Sequence, residues 1–314
     1  MGTLAILFPG QGSQKPGMGR AIYEFSSTAV EIFDEIHHAT GVNPSHLCFE
    51  SDEENLRKTE NTQLALFSVS IATWYALAAL KPDFKPIACA GHSIGEYSAL
   101  ACAGVFSVEQ GARLVHRRGE LMSFVAEHNP GAMAAILGAD LDKVKAACEK
   151  ATSVGVVVPA NDNSPGQIVI SGEKAAVEAA VKFVQEMGAK RAIMLNVSGG
   201  FHSPLMTNAS IGMEEALKEA EAFKSPDWPV ISNVTAQAVT DPSEWYSLLA
   251  KQISCPVRWR ESVLKLREMG VDTFIECGVG DVLTGLLKRI APEAKGFAVN
   301  DAESLQRVAE EIIG

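Results

Sequence analysis

Short apolar runs that end near glycine alternate with longer stretches of helical period along most of the chain. Residues 4–8, all apolar and followed by Pro9-Gly10, predict a strand, and 86–90 predict a second one running into Gly91. Residues 21–40 and 62–80 predict helices, and helical patterns continue from the second strand to residue 127. The C-terminal part repeats the theme with a strand at 229–234, helices at 243–252 and 260–269, a strand at 273–277 and a closing helix from 303. Such alternation predicts an α/β fold on a mostly parallel sheet.

Between residues 127 and 199 the rhythm changes. A strand at 131–137 is followed by a helix at 140–150 that opens on an acidic cap, then by apolar strands at 154–158 and 167–171 flanking the turn formers 161–166. A helix at 174–187 and a strand at 192–197 complete a β-α-β-β-α-β order, the ferredoxin-like unit. Residues 1–126 and 200–314 are therefore expected to form one large domain, with 127–199 inserted as a small subdomain and a cleft between them as the natural ligand site.

Residues 61–80 carry no charge and approach the ~20 residues that span a bilayer. Thr62, Gln63, Ser68, Ser70 and Thr73 argue instead for a buried helix, where they can bond back onto the backbone or reach partners. No membrane association is expected. The 314 residues are 47% hydrophobic, enough for a core of this size, and the net charge of −11 is spread without a run of five like charges, which excludes a nucleic-acid footprint. The six cysteines, Cys48, Cys89, Cys102, Cys148, Cys255 and Cys277, form no C-x-x-C pair and sit in apolar surroundings. With no export signal at the N-terminus, reduced thiols point to a cytoplasmic protein.

The chemistry concentrates at Gly91-His92-Ser93-Ile94-Gly95-Glu96. G-x-S-x-G alone describes any tight turn, but a strand before it and a helix after it make a nucleophile elbow, with Ser93 as nucleophile and the domain around it α/β-hydrolase-like. The N–H of Ile94, at the helix start, would face a developing oxyanion. Among the seven histidines, His202 is the candidate base, because it follows a strand's carboxyl end in a glycine-containing loop, whereas His92 is expected to point into the turn. No acid presents itself as a third partner. A backbone carbonyl on Nδ1 would fix the tautomer instead, and the lack of a third carboxylate suits an anionic acyl group. Spacing alone places Arg117-Arg118 on a solvated helix face, and the functional alternative is a bidentate carboxylate clamp. The loop 8–14 lacks both nucleotide-binding glycine patterns, so a second oxyanion donor is its better use.

Several stretches together are similar to the malonyl-CoA:acyl carrier protein transacylase family: FPGQGSQ at 8–14, TENTQLALF at 59–67, GHSIGE at 91–96, RRGELM at 117–122, NSPGQIVISG at 163–172, VSGGFHSPLM at 197–206, QISCPVRW at 252–259 and ECGVGDVLTGLLKR at 276–289. The resemblance implies that Ser93 is acylated, that His202 is its base held by the main-chain carbonyl of Gln252, and that Arg118 binds the malonyl carboxylate. It further implies an oxyanion hole from the N–H groups of Gln11 and Ile94, Asn163 lining the cleft, and Phe201 disfavouring methylmalonyl. The reaction implied is ping-pong transfer from malonyl-CoA to an acyl carrier protein in fatty-acid synthesis, by a monomer, with no cofactor or metal because the coenzyme A thioester is the substrate. Lys190, Arg191, Lys288 and Arg289 are candidates for a basic rim facing an acidic carrier, though ordinary solvated charge explains half of them as well. The alternatives are a free-standing acyltransferase serving a polyketide synthase, or a serine esterase or thioesterase. Two departures from the family pattern, Ile94 for leucine and Gly200 for proline or alanine, remove no catalytic group.

Overall fold

Leu4, Ile6 and Phe8 join one hydrophobic core while Ala5 and Leu7 join another on the opposite side, so the first strand is buried on both faces. That two-sided burial is why it reads as an unbroken apolar run rather than an alternating one. The computed structural model describes residues 3–314. Its strands are β1 (Leu4–Phe8), β2 (Ala88–Gly91), β3 (Ala132–Leu137), β4 (Val157–Ser164), β5 (Gln167–Gly172), β6 (Arg191–Met194), β7 (Val230–Ile231), β8 (Ala238–Val239), β9 (Thr273–Cys277) and β10 (Lys295–Val299). The larger sheet runs β10-β9-β1-β2-β7-β8, parallel throughout except for β8. The smaller runs β4-β5-β3-β6, entirely antiparallel, which is the ferredoxin-like strand order. The expected α/β class, a mostly parallel sheet joined by a small antiparallel one, is the observed one.

The helix Thr59–Leu80 lies against the large sheet with most of its length buried. Three of its hydroxyls bond to main-chain carbonyls, Thr62 Oγ1 donating to Leu56 at 2.5 Å, Ser68 to Leu64 at 2.8 Å and Thr73 to Val69 at 2.7 Å, while Ser70 Oγ is buried without a partner among the described residues. The small sheet divides its side chains by the period of two. Ala134, Ile136, Ile168 and Ile170 pack under the helices Leu141–Ala151 and Lys174–Glu186. Met133, Ala135, Val169, Asn161 and Asn163 face the other way and roof a cavity over residue 93.

The structure departs from the sequence pattern in several places. The helix expected over 21–40 is two, Arg20–Phe25 and Ser27–Thr40, because Ser26 adopts an extended conformation and caps the second by accepting from the Ala29 N–H. The turn formers 161–164 belong to β4, and the hairpin turns on Pro165-Gly166 alone. Register shifts at Pro159/Asn161 and Asp162/Ser164 let polar residues occupy that strand. The strand expected at 229–234 shrinks to Val230–Ile231, leaving Asn233 free of the ladder. Finally, the helices Thr207–Glu219 and Val282–Ile290 and the strand β10 were not signalled. β10 opens on Lys295-Gly296 and is mostly half-exposed at the sheet edge.

Candidate active site

β2 ends at Gly91 and the helix Gly95–Cys102 begins four residues later, so the chain must reverse direction within His92-Ser93-Ile94. Ser93 takes the left-handed conformation, φ 52°, which costs a non-glycine residue about 1–3 kcal/mol. The flanking glycines are sterically required. A Cβ at Gly91 would lie 1.9 Å from the Gly95 carbonyl, and one at Gly95 would lie 2.2 Å from the carbonyl oxygen of Phe8. Asn233 braces the turn, accepting from the Ser93 N–H at 2.8 Å and donating to the Gly91 carbonyl at 2.7 Å. The short β7 is what leaves it available.

Ser93 Oγ and His202 Nε2 are 2.8 Å apart. His202 is also left-handed, φ 56°, with its N–H donating to the Ile253 carbonyl. Its Nδ1 faces two carbonyl oxygens, Gln252 at 2.8 Å and Cys255 at 3.2 Å. Carbonyls only accept, so Nδ1 carries the proton and Nε2 is the free base. Arg118 Nη2 donates to Ser93 Oγ at 3.2 Å, and since guanidinium cannot accept, the serine proton is left to point at Nε2. Burial, reinforced by the Arg118 charge, pulls the imidazole down to about 3, which keeps it neutral at physiological pH.

Arg117 and Arg118 part company. Arg117 is exposed and pairs with Glu120, as a solvated face would have it. Arg118 is 1% exposed. The signal that separates them is the helical stripe Val108, Ala112, Val115, Met122, Val125 on Val108–His128, which includes 118 and not 117. Gly119 lets that helix touch the helix Thr59–Leu80, since a Cβ there would meet Glu60 Cα at 2.8 Å, and so brings Gln63 Oε1 onto Arg118 Nη1. Gln252 Oε1 accepts from Nη2 at 2.7 Å, and the guanidinium lies 5.6 Å from the Tyr97 ring. Three of the five guanidinium N–H groups are thus engaged, all with neutral partners, and Nε has no acceptor. A buried cation whose hydrogen-bond partners include no carboxylate can take an anion as its counter-charge.

A cavity of about 250 Å³ opens on Ser93 and His202; Gln11, Met122, Asn163, Leu195 and Phe201 line it with them, while Arg118 lies behind the Ser93 hydroxyl and outside that lining. His92 does not point into the turn as expected. Its ring packs 5.6 Å from Trp259 and its Nε2 bonds Asn163 Oδ1 at 2.8 Å, lining the same cavity. The main-chain N–H groups of Gln11 and Ile94 have no acceptor among the described residues. A larger groove of about 1070 Å³ contains neither Ser93 nor His202, but shares Ala135 and Gln167 with the first and carries Lys190, Arg260 and Arg289. It is an approach to the reactive groups rather than their container. Arg191 and Lys288 are exposed outside it.

Glu96, Gln63, Asn233 and the Gln252 side chain were given no part by the sequence reading. Glu96 did carry a signal, as the one charge in the otherwise apolar and small Gly95–Cys102, and it is 0% exposed.

A serine held at an elbow, a neutral imidazole on its hydroxyl and a buried guanidinium beside both define an acyl-transfer site for anionic acyl groups. Comparison with known proteins agrees in class: the acyl transferase domain model matches residues 6–307. The malonyl CoA-acyl carrier protein transacylase of Bacillus subtilis is 45% identical over 98% of this chain and 96% of its own length. An acyl carrier protein S-malonyltransferase from Vibrio cholerae superimposes with TM-score 0.94 at 43% identity, covering 98% of this chain and 99% of that one. A malonyl-transacylase in complex with the acyl-carrier protein of a type II polyketide synthase gives TM-score 0.94 at 40% identity with the same coverage. The chain belongs to the malonyl CoA-acyl carrier protein transacylase family.

Two outcomes are expected of the site itself. Acylation of Ser93 by an activated neutral ester, p-nitrophenyl acetate, should hold its rate as pH falls from 8 through about 6.5, the ordinary histidine value, because the base must be unprotonated and its pKa is depressed. A half-maximal rate near that value in a pH series would contradict the assignment. Gly95→Ala should lower stability by about 3 kcal/mol, read as a reduced urea midpoint.

Proposed function

We propose that the chain transfers malonyl from malonyl-CoA to the phosphopantetheine thiol of an acyl carrier protein, in fatty-acid synthesis, through a malonyl-serine ester. The observation that carries this reading is the buried Arg118 guanidinium, 3.2 Å from Ser93 Oγ and without a carboxylate among its partners. A malonyl thioester bound with its carboxylate on the guanidinium puts its carbonyl carbon beside the hydroxyl.

Ser93 Oγ attacks that carbon as its proton passes to His202 Nε2. The charge developing on the carbonyl oxygen is met by the unengaged N–H groups of Gln11 and Ile94. The C–S bond breaks, the coenzyme A sulfur takes the proton from Nε2, and the ester remains. In the second half the carrier thiol gives its proton to Nε2, its sulfur attacks the ester carbonyl, and Ser93 Oγ leaves with that proton. The Gln252 and Cys255 carbonyls stabilise the imidazolium in both halves. Phe201 and Asn163, both lining the cavity, crowd the acyl chain, which supports discrimination against methylmalonyl. No cofactor or metal takes part in these steps.

Lys190 and Arg289, exposed along the larger groove, are the residues of the expected basic rim best placed to meet an acidic carrier. All side chains of the site come from one chain, so a monomer suffices, and six free cysteines suit a cytoplasmic location. The complex of a 40% identical relative with a polyketide-synthase carrier favours one second reading, service to such a carrier. Rates with the two carriers separate the readings. A hydrolase would release malonate with no carrier present.

Mixed with malonyl-CoA, the protein should gain one malonyl adduct by intact mass, lose it in Ser93→Ala, and pass it to holo-carrier. An undiminished adduct in Ser93→Ala would overturn the mechanism. Arg118→Ala should lower kcat/KM for malonyl-CoA by about 10²–10³-fold in a steady-state assay.

A further inference from the structure

Gln252 is the last residue of the helix Glu244–Gln252, is fully buried, and uses every polar atom of its side chain. Its Oε1 accepts from Arg118 at 2.7 Å, while its Nε2 donates to the Ser93 carbonyl at 2.8 Å and to Glu96 Oε2. The amide orientation follows from its neighbours, since Arg118 only donates and the carbonyl and carboxylate only accept. The other Glu96 oxygen accepts from the Asn233 N–H at 2.6 Å. Glu96 is not in the cavity lining and reaches Arg118 only through the Gln252 side chain.

We propose that Glu96 is a positioning residue for acyl-group choice: by accepting from Gln252 Nε2 it turns Oε1 towards Arg118, and so holds the guanidinium where a substrate carboxylate meets it beside Ser93. The proposal rests on the malonyl-transfer reading above and adds the residue that makes the site discriminate anionic from neutral acyl groups. Burial pushes the Glu96 carboxyl up to about 7, against the Asn233 and Gln252 hydrogen bonds and the Arg118 charge that favour its ionised form. Both groups that face its oxygens, the Asn233 N–H and Gln252 Nε2, are donors, so the geometry is that of the ionised form in a place whose burial penalises it.

An isosteric change isolates this role. In Glu96→Gln the Asn233 N–H, fixed in the backbone, keeps the one remaining acceptor, so the new amide NH₂ faces Gln252. Gln252 must then flip, and its NH₂ is set against the guanidinium, donor to donor. Glu96→Gln should raise the KM for malonyl-CoA about 10–100-fold, the range for disrupting a buried hydrogen bond to a charged group. Acylation by p-nitrophenyl acetate, which has no carboxylate to place, loses only the Gln252 amide bond to the Ser93 carbonyl and should fall less than about tenfold, and by less than the effect on malonyl-CoA. Glu96→Asp, which keeps two acceptor oxygens, should retain the preference for malonyl-CoA and serves as the second variant if the glutamine form does not fold. Equal losses on both donors, or no loss on either, would overturn the proposal while leaving malonyl transfer intact. Failure of the unaltered protein to accept malonyl would instead overturn the functional reading.

Discussion

The hydrogen bonds of Gln252 hold the reactive groups in one arrangement. Its main-chain carbonyl accepts a hydrogen bond from His202 Nδ1, its side-chain carbonyl accepts one from Arg118, and its amide donates to the carbonyl of Ser93. His202, Arg118 and Ser93 thus meet on a single residue at a helix end. Each bond is satisfied in one orientation only, and in a buried setting the wrong orientation leaves donors facing donors. Rigidity here is a matter of hydrogen-bond arithmetic rather than of packing density.

Around that junction the fold supplies strain and compensates it. Ser93 and His202 both hold positive φ, an arrangement that persists because the surroundings over-determine it. Gly91 and Gly95 let the turn close, Asn233 grips both its sides, and the end of β1 lies against it at Phe8. The small antiparallel sheet closes the cavity from above with its non-helical face. Two sheets with separate cores are therefore required, one to present the serine and the other to cover it.

The absence of a carboxylate from His202 has a physical counterpart in Arg118. A carboxylate on Nδ1 would add a second anion to a buried site whose ligand is itself anionic, and would compete for the guanidinium. Carbonyl dipoles orient the imidazole without that charge. The one nearby buried carboxylate, Glu96, is kept one residue removed, behind the Gln252 amide.

Local chemistry was legible along the chain. The strands at the centre of the large sheet, the β-α-β-β-α-β order, the elbow at Ser93 and the loop histidine all follow from periodicity and turn chemistry, which depend on neighbours within a few residues. The edge strand β10 and the polar, bulged half of β4 escaped because burial there is incomplete or irregular and the period is lost. What remained to the tertiary structure was partnership. The choice of Arg118 over Arg117, the reach of His92 to Asn163, and the parts of Gln63, Glu96 and Asn233 rest on contacts spanning 55 to 156 residues of sequence. A polar side chain declares its type in the sequence, but the donor or acceptor it faces is decided only when packing brings distant segments within hydrogen-bonding distance.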